Sequence, residues 1–197
     1  QEFSKQFNYS VEYSIYDVDK EPLNFIHDFF EKDGFGLNIT KPYKNRVATK
    51  FSSNLKSINC IYEKGLKVSS TDGVGLLNDM QSKNIDYENM DILVYGLGGA
   101  AHSILETIRT RKKIFVNSRN EKKSEDIINK SNTLQKYKGE RVDLIINCAS
   151  SLDLNTINKF EHFLINKDGF IYDINYKNDT NSILEALSFS KKTNFHN

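Results

Sequence analysis

Read from its amino end, the chain alternates between strand-like and helix-like spacing of its apolar residues. VEYSIYDV at 11–18 has the aromatic and β-branched content of a strand. Pro22 then stands at a first-turn position. Leu23, Ile26, Phe29 and Phe30 recur at helical spacing as far as Gly34, which can end the helix. GLNIT at 36–40 predicts a short strand running into a Lys-Pro turn, where Pro42 biases Lys41 away from helical geometry. A short helix is expected over 44–50, then strands over 57–62 and 66–69 joined across Gly65. Thr71 or Asp72 can cap the next helix, along which Val74, Leu77 and Met80 recur. After a polar connector at 81–90, the pattern predicts strand 91–95, helix 99–109, strand 113–117 and a helix near 121–130. Strands 142–147 and 169–174 follow, then a helix over 181–189. In that helix Ser182 and Glu185 have capping-box spacing, and Ile183, Leu184 and Leu187 form the apolar face.

Short apolar strands alternating with helices predict an α/β protein built on a parallel sheet covered on both faces. The division falls near residue 80, giving two α/β units, 1–80 and 81–197, with no internal repeat. The 197 residues suffice for one moderate domain or two small ones, and the 38% hydrophobic content recurs regularly enough to build compact cores. A formal net charge of +1 gives no argument for a nucleic-acid or membrane partner. No stretch approaches the roughly 20 apolar residues of a membrane span, and no signal peptide opens the chain. Cys60 and Cys148 are too few for a disulfide framework or metal cluster; both read as small buried side chains, and a cytoplasmic setting follows. His27, His102, His162 and His196 are scattered, so no metal is signalled, and His102 reads as a packing or solvent residue. The opening QEFSKQFN resembles the tail of a helix already under way, and KKTNFHN stops without a terminal element. Both ends predict a fragment.

The candidate chemistry centres on ILVYGLGGAAHSIL at 92–105, an apolar strand entering a glycine turn and then an amphipathic helix. Gly96 permits a tight bend, Gly98 lets the backbone approach phosphate, and Gly99 with Ala100 lets the helix pack close to the sheet. Ala101, Ile104, Leu105 and Ile108 supply the buried stripe. A glycine turn without a ligand has the same appearance. The following strand ends in Ser118, Arg119 and Asn120, with no acidic residue there to bond the adenosine ribose of NAD. Arg119 can pair with a 2′-phosphate, and Ser118 and Asn120 can add neutral bonds, so NADP is preferred over NAD. NCASS at 147–151 ends another strand on the side where such ligands gather. Upstream, Lys44 and Asp72 would serve proton transfer to a carbonyl oxygen if the fold brings them together, with Asn38, Asn59 and Thr71 as fixed hydrogen-bonding groups. Otherwise Lys44 is an exposed helix-start lysine and Asp72 an N-cap.

Taken in order, these segments resemble the shikimate dehydrogenase family over nearly the whole chain. GLNITKPYK is similar to the family's Gly-x-Asn-(Val/Ile)-Thr-x-Pro-(Phe/Tyr)-Lys, SINCI to Ala-Val-Asn-Thr-(Leu/Ile), and STDGVGLL to Asn-Thr-Asp-Gly-x-Gly. GLGGAAHS resembles the Gly-x-Gly-Gly-Ala cofactor loop, VNSRN the Asn-Arg-Thr region, DLIINCAS the strand ending in Asn-Ala-Thr, and IYDINY the strand with Asp and Tyr. The resemblance implies NADPH-dependent, reversible reduction of 3-dehydroshikimate to shikimate in aromatic amino-acid biosynthesis. It implies a substrate-binding catalytic domain over 1–80 and a Rossmann-like NADP-binding domain over 81–197. By motif match, Lys44 and Asp72 would be the catalytic pair, and Asn38, Thr40 and Asn59 would line the substrate cleft with Tyr176 near the substrate carboxylate. Gly96, Gly98, Gly99 and Ala100 would hold pyrophosphate and Arg119 the 2′-phosphate, with Ser118, Asn120 and Ala149 beside the cofactor.

The chain departs from the pattern in places. Ser70 stands for Asn, Cys60 for Thr, Ser118 for Asn and Ala149 for Thr, and YKNDT lacks the proline of a Tyr-Asn-Pro loop. The family's Ser-x-Ser segment would precede Gln1 and its Gly-x-x-Met-Leu-x-x-Gln segment would follow Asn197, so weak turnover is expected of this span. A quinate-accepting or related cyclitol dehydrogenase and a non-catalytic NADP-binding protein stay open, as does the choice between monomer and homodimer.

Overall fold

Nine strands divide into two sheets among the residues that the computed structural model describes, namely 8, 10–18, 21–51, 54–149, 169–174 and 194–196. The first lobe contains α1 (Pro22–Glu31), β1 (Leu37–Asn38), α2 (Lys44–Phe51), β2 (Cys60–Tyr62) and β3 (Lys67–Ser69). Then come α3 (Asp72–Ser82), β4 (Ile92–Tyr95), α4 (Gly99–Thr107), β5 (Ile114–Asn117), α5 (Glu121–Ile128) and β6 (Leu134–Lys136). The last described strands are β7 (Leu144–Asn147), β8 (Phe170–Asp173) and β9 (Asn194–His196). Tyr176 and the helix expected at 181–189 lie outside the described residues.

Strands β4 to β9 form one parallel sheet in the order β6-β5-β4-β7-β8-β9. Its inner strands are buried on both faces, as a parallel sheet requires. Ile92, Val94, Ile114, Val116, Leu144 and Ile146 point to one face, where they meet Leu76 and Met80 of α3 and Ala101 and Ile104 of α4. Leu93, Phe115, Ile145 and Ile171 point to the other, where Tyr137 and Val142 join them. Of the stripe expected on α3, Met80 is buried and Leu77 partly buried, but Val74 is half exposed and Gly73 and Leu76 take the fully buried positions. The cause is Gly73, which seats the helix directly on α4.

The smaller sheet, β1-β2-β3, is antiparallel, with β2 and β3 joined by a turn in which Glu63, Lys64 and Gly65 all have positive φ. Ile61 of this sheet, with Ile58 just ahead of β2, packs against Ile26 of α1 and Val47 and Ala48 of α2. Residues 11–18 form no strand, contrary to expectation. Val11, Tyr13 and Ile15 are exposed, and the Tyr16 ring packs on Phe25 and Phe29 at centroid distances of 5.0 and 6.3 Å. Strand propensity expresses itself only on a pleated surface with neighbours, and here helix α1 supplies the contact instead. Helix α1 itself ends at Glu31, and the left-handed residue after it is Asp33 at φ 61°, one position before Gly34.

Candidate active site

Lys44 opens α2 and Asp72 opens α3, and the fold brings them together. Lys44 Nζ donates to Asp72 Oδ2 at 2.8 Å, with 19% and 21% of the two side chains exposed. A carboxylate in the first turn of α3 also faces that helix's unsatisfied N–H groups. Thr71 does not cap the helix with its own hydroxyl. Asn59 performs that task from the neighbouring segment: its Oδ1 accepts from Thr71 N–H at 3.0 Å, and its Nδ2 donates to Thr71 Oγ1 and to Asp72 Oδ1, both at 2.9 Å. Both Asp72 oxygens are therefore held, one by Lys44 and one by Asn59. The Asn59 backbone is itself fixed, donating to Ser69 C=O at 3.1 Å and accepting from Ile39 N–H at 2.8 Å.

The glycine turn adjoins this cluster. Gly96 has φ +87°, and a Cβ there would lie 2.6 Å from Ala149 N, so the turn needs glycine both for its bend and for its closeness to the end of β7. A Cβ on Gly99 would lie 3.1 Å from Asn45 Oδ1 and Ser57 Oγ and 3.4 Å from Lys44 Cβ, which places the start of α4 against the Lys44 segment. Among the described residues nothing lies within 4 Å of a Cβ built on Gly98, leaving room there for a phosphate at the helix N-terminus. Ala149 N–H donates to Asn147 Oδ1, and Asn147 Nδ2 donates to Asp173 Oδ1, both at 3.1 Å, with Asn147 and Asp173 buried.

Ser118, Arg119 and Asn120 follow β5 at the same end of the sheet. Arg119 is exposed, and Ser118 Oγ accepts from Asn120 N–H at 3.2 Å. Asn120 caps α5, its Oδ1 accepting from Lys123 N–H at 3.1 Å. Asn38 and Thr40 are exposed beside the smaller sheet. Asn38 Nδ2 donates to Tyr13 Oη at 3.1 Å and its Oδ1 accepts from Cys60 Sγ at 3.3 Å, while Thr40 Oγ1 lies 3.5 Å from Lys41 C=O. Cys60 is therefore half-buried and hydrogen-bonded, not a core residue: the inward position on β2 belongs to Ile61. Cys148 is buried as expected, and burial pushes its thiol pKa far up.

Two supports of the site carry only faint sequence signals. Ser103 Oγ accepts from Gly73 N–H at 3.0 Å, tying the start of α3 to α4; a serine on an otherwise apolar helix face was the available clue. Tyr172 donates to Asp79, which also pairs with Lys83, fastening α3 to β8. His102 is held below its ordinary pKa by burial, then by Lys123, Lys56 and Lys130.

No protein-family model matches the chain. A shikimate dehydrogenase (NADP(+)) of Buchnera aphidicola is 32% identical over 206 residues, covering 90% of this chain and 72% of the relative. The chain belongs to the shikimate dehydrogenase family. The shikimate dehydrogenase of Aquifex aeolicus superimposes with a TM-score of 0.76 at 19% identity, covering 98% of this chain and 78% of that one. That of Thermus thermophilus, solved in complex with NADP(H) and shikimate, gives 0.74 at 18% identity over 97% and 78%. This family member thus shares their two-domain architecture with a Rossmann-like half.

Proposed function

We infer that this family member catalyses the NADPH-dependent, reversible reduction of 3-dehydroshikimate to shikimate, a step of aromatic amino-acid biosynthesis. The observation that carries the reading is the Lys44–Asp72–Asn59 cluster, held by hydrogen bonds of 2.8–2.9 Å against the start of the glycine-turn helix. Residues 1–80 are assigned the substrate side and 81–197 the cofactor side.

The residues present fit a dinucleotide. The open space above Gly98, the N-terminus of α4 and the close approach permitted by Gly96 and Gly99 form a cradle for pyrophosphate, with Ala100 and Ala149 at its edge. Arg119 with Ser118, next to Asn120, is assigned the 2′-phosphate, for which a guanidinium offers charge and paired donors. When bound, the cofactor supplies the hydride. Lys44 then protonates the alkoxide oxygen formed at the reduced carbon, and in reverse accepts the hydroxyl proton. Asp72 aims the ammonium and balances its charge. Asn59 uses both Nδ2 protons on Asp72 and Thr71, so it acts mainly by holding Asp72, with one Oδ1 lone pair left for a substrate hydroxyl. Asn38 and Thr40 are assigned to the substrate wall and Tyr176 to the substrate carboxylate. With only two cysteines, neither in a disulfide, we place the reaction in the cytoplasm.

The test is oxidation of NADPH by 3-dehydroshikimate with purified full-length protein. Lys44→Met is expected to lower kcat by roughly 10²–10⁴, the usual worth of a positioned acid, with NADPH affinity unchanged. A Lys44→Met enzyme that keeps its kcat would remove the lysine from the mechanism. Reduction of a different cyclitol ketone, with 3-dehydroshikimate untouched, would overturn the substrate.

A further inference from the structure

Asn38 is held at both ends of its amide. Cys60 Sγ donates to its Oδ1 at 3.3 Å, and its Nδ2 donates to Tyr13 Oη at 3.1 Å. Asn38 and Cys60 face each other directly across β1 and β2, so neither side chain has to reach. On β2 the side chains alternate, Ile61 into the core and Cys60 onto the opposite face. Asn59, the next residue back along the chain, holds Asp72 and through it Lys44.

An unconstrained asparagine amide presents oxygen and nitrogen to a ligand in either order, because the two ends are alike in shape. A thiol on one side and a phenol on the other, each able to donate or accept, do not choose between the two orders, but together they hold the plane of this amide in one position. Among the described residues, the second Nδ2 proton and the second Oδ1 lone pair of Asn38 remain for hydroxyl groups of a polyhydroxylated ring.

We propose that Cys60 is a positioning residue for substrate recognition: its thiol orients the Asn38 amide at the wall of the substrate site. The proposal rests on the functional reading above only for the identity of the ligand. Cys60 has no role in proton or hydride transfer, so its loss acts on substrate KM and leaves kcat nearly alone.

Selective chemistry at this thiol makes the proposal testable. Cys60 is half-buried, whereas Cys148, the other cysteine, is buried, and that burial favours its protonated thiol. N-ethylmaleimide therefore adds to Cys60 first, its thiolate forming a thioether across the maleimide double bond, and mass spectrometry of the intact protein follows the adduct. Shikimate is expected to slow that addition several-fold, and NADP alone to leave its rate unchanged. In steady-state assays, Cys60→Ala is expected to raise the KM for 3-dehydroshikimate roughly two- to tenfold, the range of one modest hydrogen bond, with KM for NADPH unchanged. Cys60→Ser and Cys60→Thr keep a donor at this position and restore the KM. Tyr13→Phe raises the same KM, and combined with Cys60→Ala gives less than the product of the two effects, since both act through one amide.

An alkylation rate indifferent to shikimate overturns the assignment whether or not the protein turns over. So does an unchanged KM in Cys60→Ala. Protection by shikimate in a protein that reduces no 3-dehydroshikimate supports the Cys60 assignment while counting against the proposed reaction, so the two readings fail separately.

Discussion

Changing Gly73 and Gly75 to alanine, one at a time, should move stability in opposite directions although both lie in α3. In either variant alanine lowers the conformational cost of ordering a helix, a gain of about 0.5–1 kcal/mol. At Gly75 no described residue lies within 4 Å of the new Cβ, so the gain stands alone. At Gly73 the same atom would lie 2.4 Å from the Ser103 carbonyl oxygen and from Thr107 Oγ1, and 2.9 Å from the Ser103 carbonyl carbon. Two of these three contacts are backbone and cannot rotate away, so α3 must move off α4. Overpacking of this kind costs about 1–3 kcal/mol, and weakening the Gly73 N–H to Ser103 Oγ bond adds about 1 kcal/mol. The shared helix gain cancels, so the two variants should differ by about 2–4 kcal/mol, with Gly75→Ala above wild type and Gly73→Ala below it. For a chain of this size, each kcal/mol corresponds to roughly 2–4 °C in Tm. Urea unfolding at equal slope measures the difference directly. Because Asp72 adjoins Gly73, the displacement also moves the carboxylate from Lys44, and kcat should fall in Gly73→Ala alone. A Gly73→Ala protein as stable as Gly75→Ala would refute the close seating of α3 on α4.

Further outcomes follow from the same geometry. Asn59→Ala leaves Thr71 N–H and Asp72 Oδ1 without their partner; it should cost about 1–2 kcal/mol of stability and lower kcat, and equal kcat would show that Lys44 alone holds Asp72. Arg119→Ala should weaken NADP binding roughly ten- to hundredfold, the worth of a charge-assisted contact, with NAD binding little changed; parallel losses for both cofactors would remove the 2′-phosphate role. Burial and the lysines around His102 depress its pKa, so the unfolded chain takes up the proton near pH 6.5 before the folded one does. The contribution of His102 to stability is accordingly full above pH 6.5 and is lost below it, and melts on either side of that value should show that loss removed in His102→Gln.

Local pattern was enough wherever a structural demand is met within one short segment. The step from β4 through Gly96 to α4 was legible because a buried strand, a turn needing positive φ and an amphipathic helix each mark their own residues. The stripe containing Ile26 and Phe30 on α1 was legible for the same reason. Candidate chemistry could be named because Lys44, Asp72 and the glycines stand in ordered motifs that resemble one family, but no spacing along the chain showed that Lys44 and Asp72 meet.

What escaped the pattern depends on partners far away in the chain. Strand β6 holds one half-buried leucine and two exposed residues, too little periodicity to announce itself; pairing with β5 is what makes it a strand. Residues 11–18 carry strand composition and form none: no described strand pairs with them, and Tyr16 packs on α1 instead. The buried face of α3 turned on one glycine meeting Ser103, thirty positions ahead. Asn59 caps a helix that begins 13 residues later, and Cys60 faces Asn38 because β1 and β2 pair at that register. Residue type and order therefore state which groups are available and which faces want burial. Which groups share protons, which cap is used and which cysteine meets the site are decided by close packing, since those energies exist only at distances of a few ångströms between segments that the chain itself keeps far apart.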